Sequence, residues 1–156
     1  MAEGDAAADP ERSCAACVRF APTHHALADA RAVVRALVDF GDEHGERAFM
    51  TAMTEILVNS IEEHVRVGTD DSIVVSVELR PEPSVVVVDR GHGFDREAER
   101  ARAGDVGDLR GRGLAIAAAL VPRTSTTSDE HGTTTRMPVG PGRLRRSLAG
   151  ASPAAR

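Results

Sequence analysis

A run of four valines at residues 85–88 constrains the fold of this chain more than any other stretch of its sequence. β-branched side chains favour extended backbone, and an apolar run without alternation is typical of a strand that is buried on both faces. The sequence therefore predicts a buried strand over residues 84–88, which other elements of the chain must cover.

Hydrophobic periodicity predicts what covers this strand. Apolar residues at helical spacing indicate helices that cluster early in the chain, and alternating or β-branched segments indicate further strands. Because the later strands can pair largely antiparallel, we expect an α+β two-layer sandwich, a mixed, mostly antiparallel sheet with helices on one face. The predicted strands are residues 15–21, 72–79, 84–88, 124–128 and 133–139, and the predicted helices are residues 24–44, 46–67, 96–103 and 114–121.

The length of 156 residues suits one domain with a substantial core. Residues 1–13 are rich in Ala, Asp and Glu without periodicity, and the stretch from Gly140 onward is rich in Pro, Gly, Ser and Arg. Such segments bury too little apolar surface to offset the entropy of ordering. We therefore predict a disordered lead over residues 1–13, a folded domain over residues 14–139 and a disordered tail over residues 140–156.

The charge balance excludes one large class of function. A formal net charge of −5 and a pI of about 5.7 argue against a nucleic-acid partner, which needs a clustered basic surface. No apolar run approaches the roughly 20 residues that cross a bilayer, and the acidic start of the chain is unlike an export signal. We therefore expect a cytoplasmic protein with no membrane partner.

All 19 basic residues are Arg, and Lys is absent. A Walker A loop and a eukaryotic-type protein kinase each place a Lys on the nucleotide phosphates, and Schiff-base catalysis also requires one. These three classes are therefore excluded on chemical grounds. The bias toward Arg and Ala is typical of a bacterial genome with high GC content.

Cys14 and Cys17 form a lone CxxC pair. The pair is compatible with half of a zinc site that His24 and His25 complete, or with a redox pair, although a redox pair normally follows a strand and opens a helix. Because a single CxxC is a weak signal, two reduced thiols near the start of a strand are the simpler interpretation.

Three clusters of polar residues and glycines are candidates for chemistry. In the first, Glu55 and Asn59 lie four residues apart in the second predicted helix, and therefore one turn apart on the same face. An amide oxygen suits Mg²⁺, and a carboxylate one turn away could orient or deprotonate a hydroxyl or a water. The alternative is an ordinary solvated helix face, which Glu62, Glu63 and Arg66 continue.

The second cluster, Asp89, Gly91 and Gly93, directly follows the valine run. An acid and two glycines after a strand suit a chain that turns sharply beside a ligand, and Asp89 could accept a hydrogen bond from an amine such as N6 of adenine. An ordinary strand-ending turn explains the same residues. A dinucleotide fingerprint does not fit, because its third Gly and a long βαβ unit are missing.

The third cluster, Gly111 and Gly113, precedes a compact apolar helix that begins at Leu114. Backbone amides at a helix N-terminus bind phosphate without any Lys, and Arg110 and Arg112 could act as charge clamps. A flexible glycine loop is the alternative interpretation.

A weaker fourth element is Thr133, which follows Gly132 at the start of the last predicted strand. Its hydroxyl could share a water with Asp89. A hairpin turn ahead of a Thr-rich strand explains the same residues equally well.

Together, the four elements match in order and spacing the N box, two Gly boxes and final Gly-Thr of the GHKL superfamily of ATPases and kinases, over about residues 27–139. In its length the chain resembles the anti-sigma-factor serine kinases of that superfamily, since its sensor histidine kinases, chaperones and topoisomerases are larger. The resemblance implies a Bergerat ATP-binding fold, with ATP and Mg²⁺ as its ligands.

The resemblance also implies a role for each matching residue. Asn59 would ligate Mg²⁺, and Glu55 would be the base that activates the acceptor Ser hydroxyl. Asp89 would recognise adenine in a pocket shaped by Gly91 and Gly93. Gly111 and Gly113 would hold the phosphates, and Thr133 would support the adenine site through a water. The other implied ATP contacts are Arg110, Arg112 and Leu114. Residues 95–110 would form a lid over the nucleotide.

The implied partners are an anti-anti-sigma antagonist of STAS type, phosphorylated on a Ser, and a sigma factor that the chain sequesters; a homodimer is also implied. The chain departs from the family pattern after Asn59, because the His expected four residues later is Glu63 and His64 follows it. This carboxylate either lies near the metal or faces solvent. The departure motivates an alternative, a non-catalytic, nucleotide-gated protein-binding module or a phosphatase-activating switch protein of the same fold.

Overall fold

The valine run lies in the middle strand of a five-stranded sheet. The structure is a computed structural model, and it describes residues 14–91, residues 112–140 and the backbone of residues 143–144. In chain order the elements are β1 (Cys14–Phe20), α1 (His25–Leu37), β2 (Val38–Asp39), α2 (Glu43–Val67), β3 (Ile73–Glu78), β4 (Ser84–Asp89), α3 (Arg112–Leu120), β5 (Ser125–Asp129), β6 (Gly132–Pro138) and β7 (Arg143–Leu144).

The strand order of this sheet is β1-β3-β4-β6-β5, and each pair of neighbours runs antiparallel. Val87 of β4 lies opposite Val75 of β3 on one side and Thr135 of β6 on the other. Strands on both sides therefore satisfy the backbone of β4, and Val85 to Val87 are buried. This arrangement confirms the α+β class and the buried strand that the sequence predicts.

Helices α1 and α2 pack against the sheet on the face that carries Val75 and Val87, and α3 packs against α2. Burying an aliphatic side chain of this size contributes roughly 1.5–3 kcal/mol. The shared core therefore holds α2 firmly over β4 and β6. Its largest fully buried apolar side chains are Met53, Leu57, Ile61, Ile73 and Met137.

The first helix ends earlier than the sequence predicts. α1 stops at Leu37, because Val38 and Asp39 are extended and pair with β7. Gly41 follows with a φ of +80°, a conformation that favours glycine, and its N–H donates to Oδ1 of Asp39 at 3.1 Å. The apolar periodicity continues past this point, so the sequence pattern alone does not reveal the break.

Both ends of α2 are capped. The carboxylate of Asp42 accepts the N–H of Gly45 at 2.7 Å, and Gly68 ends the helix with a φ of +73°. The buried stripe of this helix ends on His64, which is fully buried, whereas the apolar side chain of the next residue, Val65, is 73% exposed. None of the helices in the described part of the chain is long and apolar enough to cross a membrane.

β7 pairs with β2 inside the stretch for which the sequence predicts a disordered tail. A two-residue backbone ladder needs no particular side-chain pattern, so a Gly- and Arg-rich segment gives no signal for it. Three predicted segments lie outside the described residues. They are the disordered lead over residues 1–13, the lid over residues 95–110 and the short helix over residues 96–103.

Candidate functional site

A cavity of about 490 Å³ opens among α2, the end of β4, β6 and the start of α3. Small-molecule sites in proteins usually occupy roughly 300–1,000 Å³, so this cavity is large enough for a ligand. Its lining is mixed, with apolar walls and several groups that can form hydrogen bonds. The lining residues used below are Ile56, Asn59, Ser60, Glu63, Arg66, Asp89, Leu114, Thr133 and Thr135.

Asp89, the last residue of β4, lines this cavity and is only 6% exposed. Its Oδ2 accepts a hydrogen bond from the hydroxyl of Ser60 on α2 at 2.9 Å. Its Oδ1 accepts from the backbone N–H groups of Gly91 at 3.3 Å and Thr133 at 3.2 Å. One carboxylate is therefore fixed by three segments that are distant in sequence.

Burial raises the pKa of Asp89 above its ordinary value of 3.8, because desolvation penalises the charged form. The hydrogen bonds from Ser60 and Gly91, the nearby His64 and the hydrogen bond from Thr133 oppose this effect and lower the pKa. The fixed carboxylate can accept a hydrogen bond from an amine in the cavity. This geometry suits the adenine recognition that the sequence predicts for Asp89.

His64 lies one helical turn after Ser60 and is fully buried. Its Nδ1 is 2.7 Å from the backbone oxygen of Ser60, and because a carbonyl only accepts, Nδ1 carries the donated proton. Its Nε2 has no hydrogen-bond partner among the described residues. The imidazole thus supports the turn of α2 from which Ser60 reaches Asp89.

β6 approaches Asp89 so closely that only glycine fits at the first residue of the strand. Gly132 has a φ of +138°, and a Cβ built on it would lie 2.0 Å from the backbone oxygen of Asp89. The next residue is Thr133, whose N–H bonds to the carboxylate. The close approach gives a physical reason for the Gly-Thr pair at this position.

Asn59 lines the cavity from α2 and meets the first turn of α3. A Cβ built on Gly113 would lie 2.6 Å from Nδ2 and 3.1 Å from Oδ1 of Asn59. Gly113 therefore permits the two helices to approach, a packing role that the sequence did not predict. Leu114, the next residue of α3, also lines the cavity. The predicted metal ligand and the predicted phosphate helix thus lie side by side.

Glu63 faces the cavity as one half of an ion pair with Arg66. Nε of Arg66 donates to Oε2 at 2.9 Å and Nη2 donates to Oε1 at 2.5 Å, and this bonding raises the pKa of Arg66. On its other side, Cγ of Glu63 lies 2.7 Å from the position of a Cβ built on Gly91. The sequence suggested a carboxylate near the metal or in solvent, and predicted neither the pairing nor the contact with Gly91.

The other predicted site residues are not all brought together. Glu55 lies one turn before Asn59 and is half-buried, but it is not among the described residues that line the cavity. Arg112 is the exposed first residue of α3. The predicted ATP contacts that lie outside the described residues are Gly93, Arg110 and Gly111.

Sequence reasoning missed Ser60 and Thr135, which both line the cavity. Ser60 lies within the buried stripe of α2, and a polar residue in such a stripe is the signal that could have identified it. Thr135 is buried, and its Oγ1 lies 3.2 Å from Oγ1 of Thr126 on β5. Its signal is weaker, because a Thr-rich strand offers several equivalent positions.

Cys14 and Cys17 are free thiols on β1. The thiol of Cys14 donates to the backbone oxygen of Ala16 at 2.8 Å, and burial raises its pKa. Within residues 14–91 and 112–140, no group of three or more His, Cys, Asp or Glu residues is arranged to hold a metal ion. The two thiols therefore contribute to no metal cluster of the described residues.

The profile of the histidine kinase-like ATPase domain family matches residues 20–139. A search of the curated proteins finds no match. A similar solved structure is that of the RsbU and RsbW domains of Rv1364c from Mycobacterium tuberculosis, with a TM-score of 0.55 and 23% identity. The match covers 88% of this chain and 34% of that one, and at this identity it shows likeness of fold. Because the family profile matches most of the sequence, the chain belongs to the family of histidine kinase-like ATPase domains.

Proposed function

We propose that this chain binds ATP with Mg²⁺ and acts as a serine protein kinase of the anti-sigma-factor type. It would phosphorylate a Ser on an anti-anti-sigma antagonist of STAS type and sequester a sigma factor in a partner switch. We also propose a cytoplasmic location, and the resemblance of its motifs supports a homodimer. The observation that carries the proposal is the buried, hydrogen-bonded carboxylate of Asp89 in a cavity that Asn59 also lines.

The cavity has two regions that suit the two parts of a nucleotide. The base end, defined by Ser60, Asp89 and Thr133, offers a fixed acceptor for the exocyclic amine of adenine. The phosphate end, defined by Asn59 on the cavity wall and by Gly113, which packs against it, combines an amide oxygen with the N-terminus of α3, where backbone N–H groups favour anions. The amide oxygen of Asn59 would hold Mg²⁺, which when bound neutralises phosphate charge.

Glu55 would supply the acid–base step. It lies one turn before Asn59 on the same helix face, so a substrate hydroxyl beside the phosphates would come near it. Its carboxylate would take the proton of the acceptor Ser while the γ-phosphoryl group moves to the Ser oxygen and ADP leaves. The base end would hold the nucleotide in place during this transfer.

Phosphotransfer tests the proposal directly. We would incubate the protein with Mg²⁺, labelled ATP and purified candidate STAS-type antagonists, and locate the label by mass spectrometry. We expect transfer to a Ser, and we expect Glu55→Gln to retain ATP binding while it loses transfer. If the wild-type protein binds ATP but labels none of the antagonists, the kinase proposal is wrong.

A second candidate is the non-catalytic, nucleotide-gated binding module, or a phosphatase-activating switch protein. The position of Glu55 outside the described lining of the cavity favours it. This alternative predicts that Glu55→Ala leaves both ATP binding and partner binding intact in titrations. Loss of partner binding in a folded Glu55→Ala protein would contradict it.

A further inference from the structure

Glu63 and Arg66 form a carboxylate–guanidinium pair on the cavity wall that the proposed function does not yet use. Both donors of the guanidinium edge, Nε and Nη2, bond to the two oxygens of Glu63. The side chain of Glu63 is 24% exposed and that of Arg66 is 55% exposed. The carboxylate is thus partly sheltered and held in one orientation by a fork-like contact.

The contacts of Glu63 place it beside the base end of the cavity. Its Cγ packs against Gly91, and Gly91 is two residues beyond Asp89 and donates its N–H to that carboxylate. Asn59, at the phosphate end, lies one turn earlier on α2 and contacts Gly113. A nucleotide that spans Asp89 and Asn59 therefore brings its sugar, which joins base to phosphates, past this part of α2.

A carboxylate can only accept hydrogen bonds, which limits what it can recognise. The donors of ATP are its exocyclic amine, assigned to Asp89, and the two ribose hydroxyls, whereas the phosphate oxygens are acceptors that a carboxylate repels. Each oxygen of Glu63 has further lone pairs beyond its bond to Arg66. We propose that Glu63 binds the 2′-hydroxyl of the ribose, and that the site therefore selects ribonucleotides over 2′-deoxyribonucleotides.

Arg66 acts in this proposal as a positioning residue. A carboxylate without a cationic partner on the cavity wall would repel the triphosphate. The guanidinium of Arg66 neutralises the charge of Glu63, and the carboxylate oxygens can still accept a hydrogen bond. The inference rests on the proposed nucleotide binding, and it adds the recognition of the sugar to it. A simpler role for the pair is a surface ion pair at i, i+3 spacing, which stabilises α2 alone.

Two nucleotides that differ by one hydroxyl separate these roles. We would titrate the full chain with ATP and with 2′-deoxy-ATP in Mg²⁺ by calorimetry, since Trp and Tyr are absent. We expect the wild type to bind ATP about 10-fold more tightly, as a hydrogen bond to a charged acceptor implies. Glu63→Gln should bind ATP about 10-fold more weakly and leave 2′-deoxy-ATP unchanged within about 2-fold, so that the preference disappears.

The chain offers a matched control at Glu46, which also lies on α2 and pairs with an arginine, Arg35, at 2.6 Å, outside the described lining of the cavity. Glu46→Gln removes an ion pair of the same kind and should retain the full preference for ATP. If Glu63→Gln weakens both nucleotides equally, Glu63 has only a structural role and the inference is wrong.

The wild-type titration also separates this inference from the proposed function. If the wild type binds both nucleotides with equal affinity, the sugar recognition is wrong. If Asp89→Asn also abolishes the binding of both, the proposed nucleotide site remains in place. Failure of the wild type to bind either nucleotide at millimolar concentration overturns the proposed function itself, and the inference with it.

Discussion

The base end and the phosphate end of the cavity are built by different physical means. At the base end, donors from α2, β6 and the segment after β4 fix the carboxylate of Asp89. At the phosphate end, Asn59 and Gly113 are in contact because one of them has no side chain. Changes of polarity should therefore affect the first region most, and changes of volume should affect the second.

The largest effect is expected from a change of polarity at the base end, Asp89→Asn. Oδ1 can still accept from Gly91 and Thr133, and the new amide can donate to Ser60, whose hydroxyl proton then bonds to the oxygen of Ile56, 3.1 Å away. The fold should survive, but the acceptor for the adenine amine is replaced by a donor. We expect ATP affinity in calorimetry to fall by at least about 100-fold, because a mismatched buried polar group costs several kcal/mol.

Unchanged ATP binding by folded Asp89→Asn protein would show that the base end does not recognise the nucleotide. Thermal unfolding followed by circular dichroism serves as the control for folding. A variant that is unfolded under these conditions would contradict the hydrogen-bond rearrangement described for Ser60.

The phosphate end is tested by a change of volume, Gly113→Ala. The added Cβ would lie 2.6 Å from Nδ2 of Asn59, so either the amide or α3 must move. Overpacking of this kind costs about 1–3 kcal/mol, and we expect roughly a 10-fold loss of ATP affinity in the presence of Mg²⁺. In calorimetry without Mg²⁺ the loss should be smaller, because Asn59 then has no ion to hold.

Gly45→Ala is the matched control for this substitution. A Cβ built on Gly45 would meet Oδ1 of Asp42 at 3.5 Å, an ordinary van der Waals contact. It should raise the unfolding temperature slightly through helix propensity and leave ATP affinity unchanged. If Gly113→Ala behaves in the same way, close packing does not define the phosphate end.

The raised pKa of Asp89 gives the base end a pH dependence that the phosphate end lacks. The folded state binds the proton of this carboxyl more tightly than the unfolded chain does, so the free energy of unfolding gains a favourable contribution as the pH falls through the folded pKa toward 3.8. Denaturant titrations of the wild type and Asp89→Asn at pH 7.5 and pH 4.5 should show the wild type gaining relative to the variant. A difference in stability that is independent of pH would contradict the burial of an ionised Asp89.

The two ends of the cavity also differ in how much of each could be predicted from the sequence. The valine run and the residues after it predicted a buried strand with Asp89 at its end, because both follow from local pattern. Ser60 and the contact between Asn59 and Gly113 were not predicted, since they depend on how α2 lies over β4 and against α3. The pairing of β2 with β7 was not predicted for a related reason, because the two strands lie far apart in the chain.

The smallest effect is expected beside the base end, at the buried hydroxyl pair of Thr126 and Thr135. Thr126→Val leaves the hydroxyl of Thr135 without its partner, which should lower the free energy of unfolding by about 1 kcal/mol and change ATP affinity by less than about 3-fold. Adding Thr135→Val removes both hydroxyls and should restore most of the stability, since neither of the two positions then has an unpaired buried hydroxyl. Thr127→Val, at an exposed position of the same strand, is the control. Additive losses in denaturant titrations of the double variant would mean that the two hydroxyls act independently, which would contradict the hydrogen bond between them.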